Sequence, residues 1–165
     1  MKKLMMLLSM LCLLALGSFS ASAMDSATLL QNPDRYRVIS TEPDGIVYVD
    51  MKTISGMQTM DYPNSIENIS AKLYVEKYNS TIDAMTFMKD QTIRQINEYD
   101  AVFHANKREG TYDLGTKLVN VYKPTGEPYA VKLDTVQWGN IKDMFISMNR
   151  LTKLQGQLVT QDTAK

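Results

Sequence analysis

The stretch Ile66-Glu67-Asn68-Ile69-Ser70-Ala71-Lys72-Leu73-Tyr74-Val75-Glu76-Lys77-Tyr78 sets the fold. Ile69, Ala71, Leu73 and Val75 fall on one side, whereas Ser70, Lys72, Tyr74, Glu76 and Tyr78 fall on the other. Strand side chains alternate between faces, so the pattern predicts a long strand with one buried and one largely wet face. Such a strand requires antiparallel neighbours and a cover for its apolar side, and the flanking sequence supplies both.

Upstream, Tyr62-Pro63-Asn64 marks the turn into this strand. Earlier still, Tyr36–Ser40 and Ile46–Asp50 are rich in β-branched and aromatic residues and flank Glu42-Pro43-Asp44-Gly45. Proline presets φ, aspartate bonds its own backbone and glycine takes a positive φ, which predicts a hairpin. Met51–Ile54 reads as a short turn ended by Gly56, and polar residues 24–35, closing on Asn32-Pro33-Asp34, read as a flexible leader.

Downstream, residues 81–97 are open to helix and strand. We favour a short helix or loop over 81–90 and a long strand from about 93 to 105. A second hairpin is expected between Tyr112–Lys123 and Tyr129–Val136 through Pro124-Thr125-Gly126-Glu127. The period then changes. Ile141, Met144, Phe145, Met148 and Leu151 recur at three- and four-residue steps, the stripe of an amphipathic helix. Asn140 caps it, Asp143 sits at N3 and Gly156 is expected to end it, leaving 157–165 as a disordered tail. The expected fold is α+β: a small antiparallel meander with the C-terminal helix packed back across it, one domain over 36–156.

Residues 1–23 read as a secretory signal. Lys2 and Lys3 precede an apolar stretch from Leu4 to Leu16, and Ala21-Ser22-Ala23 is a small-x-small exit. The stretch is shorter than the roughly 20 residues of a spanning helix. An uncut N-terminal anchor is the alternative. Cleavage after Ala23 removes 23 of the 165 residues, leaves 142, and takes the single cysteine, Cys12, with it. Ser9-Met10-Leu11 precede that cysteine without the small residue that lipid attachment requires. The reading is an exported chain (secreted, periplasmic or at the cell surface) that is held together by its core alone.

Charge excludes little but does disfavour polyanions. The 18 basic and 18 acidic residues become 16 against 18 once Lys2 and Lys3 leave, so no nucleic-acid partner is expected. Among chemical groups, His104 is the only histidine, with Asp100 on the same face of a strand. No second histidine or remaining cysteine completes a transition-metal site, and no nucleophile elbow, calcium loop or phosphate loop occurs, so no metal, cofactor or catalytic residue is assigned. Lys107 and Arg108, with Arg94 and His104 near them in sequence, are read as a basic binding patch against the alternative of a solvated hairpin tip. Tyr74 and Tyr78, on the less apolar face of the strand, are read as stiff aromatic contact area, unless the 81–90 segment covers them.

Tyr36-Arg37-Val38-Ile39-Ser40, Asp44-Gly45-Ile46-Val47-Tyr48-Val49-Asp50 and Thr53-Ile54 resemble the opening of the bacterial surface-adhesin protein E family. So do Tyr122-Lys123-Pro124-Thr125-Gly126-Glu127, Trp138-Gly139-Asn140-Ile141 and the helix after them. The resemblance implies a small antiparallel sheet crossed by a C-terminal helix, and a non-enzymatic surface protein that binds host extracellular-matrix or plasma proteins. It also implies a capacity to form homodimers. This chain departs from the family pattern in lacking a lipobox, in Tyr36 where tryptophan is common, and in having no cysteine in the central strand. The expected function is thus an exported, adhesin-like protein-binding module. The alternative is a structural or accessory envelope protein without a host ligand. Small-molecule or lipid carriage would instead require a deep apolar cavity under Met144, Phe145 and Met148.

Overall fold

The alternation of residues 66–78 becomes a strand with those bounds, and it is the spine of the sheet. The structure is a computed structural model that describes residues 24–42, 44–58, 66–79, 93–130, 134 and 136–162. In chain order these form α1 (Ser26–Gln31), β1 (Tyr36–Glu42), β2 (Gly45–Asp50) and a 3-10 turn (Met51–Thr53). There follow β3 (Ser55–Gln58), β4 (Ile66–Tyr78), β5 (Ile93–Asn106), β6 (Thr111–Tyr122) and α2 (Ile141–Asp162). All pairings are antiparallel, in the order β1-β2-β4-β5-β6, with β3 also on β4.

Register explains the shape. β2 pairs with the second half of β4 (Val49↔Leu73 to Gly45↔Lys77) and β3 with its first half (Ser55↔Ser70 to Gln58↔Glu67). The 3-10 turn therefore joins two short strands laid end to end along one long one. Asp50 starts that turn by accepting the Lys52 N–H at 3.0 Å, and the Thr53 hydroxyl donates to the Asp50 carbonyl at 2.8 Å. On the other side, β5 follows β4 from Ile66↔Asn106 to Tyr78↔Ile93.

One face of the sheet is the apolar core. Val47, Val49, Leu73, Val75, Ala101 and Phe103 meet Met144, Phe145 and Met148 of α2, and all are buried. Asn140 caps α2 as expected: its Oδ1 accepts the Asp143 N–H at 3.3 Å, and its Nδ2 donates back to Asp143 at 2.7 Å. Tyr99 is fully buried on the same face, edge-on to Trp138 with ring centroids 5.2 Å apart. Its hydroxyl donates to Asp134 at 2.6 Å and accepts from Asn97 at 3.0 Å, which ties the link before α2 to the sheet.

The α+β class, the first hairpin, the long strand from 93 and the C-terminal helix all stand as expected. Several local expectations change. Gly45 does not adopt a positive φ; a Cβ there would lie 2.6 Å from the Glu76 carbonyl oxygen, so close backbone approach is its reason. Gly56 lies within β3 rather than ending a turn. α2 runs through Gly156 to Asp162, so the helix continues into the segment read as a disordered tail. After β6 the chain turns at Gly126 (φ 90°) and returns through a single bridge, Tyr122↔Pro128, in place of a full strand among the described residues. The 62–64 turn and the 81–90 segment lie outside the described residues.

Candidate functional site

The opposite face of the sheet was expected to be wet, and half of it is not. Tyr74, Glu76 and Tyr78 of β4 are buried there, with Tyr36, Ile46, Tyr48, Ile96 and Tyr122 from the neighbouring strands. Part of the same buried cluster comes from the segment read as a flexible leader. Asp25 accepts the Thr28 N–H at 2.6 Å and caps α1, Leu29 is 1% exposed, and Met24 is buried beside it. The sequence signal for this was the pair Leu29-Leu30 following a capping aspartate, which a turn-rich composition obscured.

Buried carboxylates and tyrosine hydroxyls share this face, and Glu98, Glu76 and Asp50 each accept at least one hydrogen bond. Glu98 accepts from Lys72 Nζ at 2.8 Å, Tyr122 Oη at 2.8 Å and Asn120 Nδ2 at 2.9 Å. Burial pushes the Glu98 carboxyl up, but these hydrogen bonds together outweigh it and hold the pKa below the ordinary value. Tyr48 Oη donates to Glu76 at 3.0 Å. Arg35 grips Asp50 bidentately at 3.1 and 2.8 Å. Burial, then the Glu98 carboxylate, pushes Tyr122 up to about 12; burial likewise raises Tyr48 and Tyr74. The phenols therefore stay protonated at neutral pH and serve as donors and packing surface. Tyr36 and Tyr74 meet edge to face, 5.7 Å between centroids and 88° between planes.

Two of the sequence-derived binding residues, Tyr74 and Tyr78, are thus core residues, 6% and 8% exposed. The expectation of exposed tyrosines fails: both belong to a buried cluster with Met24, Leu29, Tyr36, Tyr48 and Tyr122, and the 81–90 segment lies outside the described residues. The basic patch is not assembled either. Arg94 lies near the start of β5 and Lys107 just past its end, so about 40 Å of strand separates them at ~3.3 Å per residue. Lys107 Nζ is 2.5 Å from the buried Glu67 carboxylate. Arg108 lies exposed in the adjoining turn. His104 Nδ1 lies 2.6 Å from Asn68 Oδ1, while Asp100 pairs with Lys72 at 3.1 Å, so the His/Asp pair is divided between different partners. Among the described residues no group of three or more His, Cys, Asp or Glu is placed to hold a metal ion.

What the sequence reading missed lies at the margin of the tyrosine face. A groove of about 490 Å³ runs between α1 and β1, with Tyr36 and Tyr48 at its base and Leu29, Leu30, Pro33 and Val38 among its walls. Leu30 is 59% and Val38 50% exposed, the two most exposed large apolar side chains described. β1 is also an end strand of the sheet, and among the described residues nothing pairs with its outer side. Met144, Phe145 and Met148, the positions where carriage would need a cavity, are packed against the sheet instead. A groove of about 300 Å³ beside the middle of α2 is lined by Gly56, Glu67, Asn149 and Thr152 and is largely polar in its residues.

Compared with known proteins, the chain matches no family model, no curated relative and no solved structure. Among the described residues no helix is long and apolar enough to cross a membrane.

Proposed function

We propose that this chain is an exported, non-enzymatic binding module of the bacterial surface or envelope that takes an extended segment of a host matrix or plasma protein along β1. The observation that carries the reading is the coincidence of a sheet edge that pairs with no strand among the described residues, a groove beside it, and two exposed apolar side chains, Val38 and Leu30. An unpaired edge offers backbone donors and acceptors to an added strand, and pockets beside it select alternate side chains. Of the tyrosines that line the groove, Tyr36 packs edge-on against Tyr74 and Tyr48 donates to Glu76, which supports a surface held by the sheet. The basic start, apolar stretch and small-residue exit of residues 1–23 support export, and the resemblance to the adhesin E family supports a host protein as the partner.

The test is saturable binding of the domain, residues 24–165, to a panel of purified matrix and plasma proteins, run beside the producer's own envelope fraction. Saturable retention of a panel protein that Val38→Asp weakens about tenfold supports the reading. Retention of envelope components alone would replace it with a structural or accessory role in the cell envelope.

A further inference from the structure

The part of β1 that fronts the groove is narrower than the strand itself. The Met51 N–H donates to the Arg35 carbonyl at 2.8 Å, so Arg35 and Arg37 turn their main-chain groups towards β2. Alternation then sends those of Tyr36 and Val38 outward. The Tyr36 N–H is already engaged, donating to the Asn32 carbonyl at 2.8 Å. Beyond Val38 the register shifts before Ser40, and Ile39 is buried in the core under α2. The outward edge ahead of this bulge therefore presents the Tyr36 carbonyl and both main-chain groups of Val38. A ladder this short holds a partner strand in place but selects no sequence; that task falls to side chains.

Two kinds of side chain are placed for it. Tyr36, Val38 and Tyr48 line the groove together with Leu30 and Pro33. An antiparallel residue opposite Val38 exchanges both main-chain bonds with it and lays its own side chain on the same face, against Val38 and Leu30. The next residue of the partner falls opposite Arg37. That side chain is half exposed and pairs with the fully exposed Asp34 only at 3.9 Å, too long for a hydrogen bond and worth little in water. Arg35, by contrast, is committed bidentately to Asp50. A half-exposed guanidinium on the groove's rim is complementary to a carboxylate brought in on a strand. Resting on the edge-binding reading above, we infer that the partner segment carries an apolar residue followed at once by an aspartate or glutamate, the first seated beside Val38 and the second paired with Arg37.

The test titrates the purified protein with blocked hexapeptides of serine and threonine that differ only in their central pair: leucine–aspartate, leucine–lysine or serine–aspartate. Binding is followed by amide shifts in nuclear magnetic resonance, with Arg37→Glu and Leu30→Ser run beside the wild type. The expected result is a saturable shift at the Val38 amide, with the leucine–aspartate peptide bound about tenfold more tightly than either of the others. Arg37→Glu should invert the order of the two leucine peptides, and Leu30→Ser should weaken both without changing that order. Leucine–aspartate and leucine–lysine bound equally at Val38 would overturn the acidic position and leave edge binding intact. No shift at Val38 with any peptide, while a captured host protein still protects β1 from hydrogen exchange, would overturn the motif alone. Loss of that protection as well would overturn the edge-binding reading with it.

Discussion

The two faces of this sheet are built from the same strands and held by different physics. Under α2, Val47, Leu73, Val75, Phe103, Met144 and Met148 form a dry contact in which shape complementarity does the stabilising. Under α1, tyrosines and carboxylates alternate, and hydrogen bonds such as Tyr122–Glu98 and Tyr48–Glu76 must all be made for burial to be tolerable. The first face answers to changes in volume and the second to changes in charge and pH. A long amphipathic helix can cover an apolar sheet alone. A six-residue helix seated by Leu29 cannot, and the tyrosines supply the area it lacks.

Volume changes should separate the faces most sharply. Phe103→Ala empties a fully buried site under α2 and is expected to lower unfolding stability by about 3–5 kcal/mol, read from urea denaturation. Leu29→Ala on the other face should cost about 2 kcal/mol, the low end of the range for a buried leucine, because a short helix can settle into the gap. Equal losses would show that α1 is as rigidly packed as α2.

Charge should separate them the other way. The folded pKa of Glu98 lies below its unfolded value, so the unfolded chain binds more protons over that interval. Its contribution to stability is therefore complete above the ordinary carboxylate pKa of about 4.3 and is lost as pH falls through the lowered folded value. Glu98→Gln should cost about 1–2 kcal/mol at pH 7 and flatten that part of the acid-unfolding profile, while Phe103→Ala shifts the whole profile without changing its slope. An unchanged acid slope in Glu98→Gln would remove this carboxylate as the pH-sensitive element of the second face.

How far this was legible in sequence follows the same division. The apolar face announces itself by period: two for Ile69 to Val75 and three to four for Ile141 to Leu151, so β4 and α2 could be read directly. The second face has no such signature, because tyrosine is compatible with both burial and exposure. Tyr74 and Tyr78 read as a contact surface, yet they lie in a buried cluster of tyrosines that includes Met24 and Leu29. The groove was hidden for the same reason: it joins Leu29 and Leu30 to Val38 across a turn whose geometry no local pattern fixes. The basic patch failed because closeness in sequence is not closeness along a strand.

The smallest effects belong to the surface. Val38→Asp is expected to leave stability within about 0.5 kcal/mol, as its side chain is half exposed, yet to weaken partner binding by about tenfold. Arg108→Glu, in the turn beyond β5, should change affinity less than twofold at physiological salt, where exposed charges are screened beyond about 8 Å. A larger effect of Arg108→Glu than of Val38→Asp would move the contact surface to that turn.

The most direct measurement is amide hydrogen exchange on residues 24–165, free and saturated with the captured matrix or plasma protein. If a partner strand adds to the sheet, amides within Tyr36–Glu42 gain protection while those of β5 and β6 are unchanged. Protection confined to the turn after β5, or none on β1 at saturation, would contradict the account.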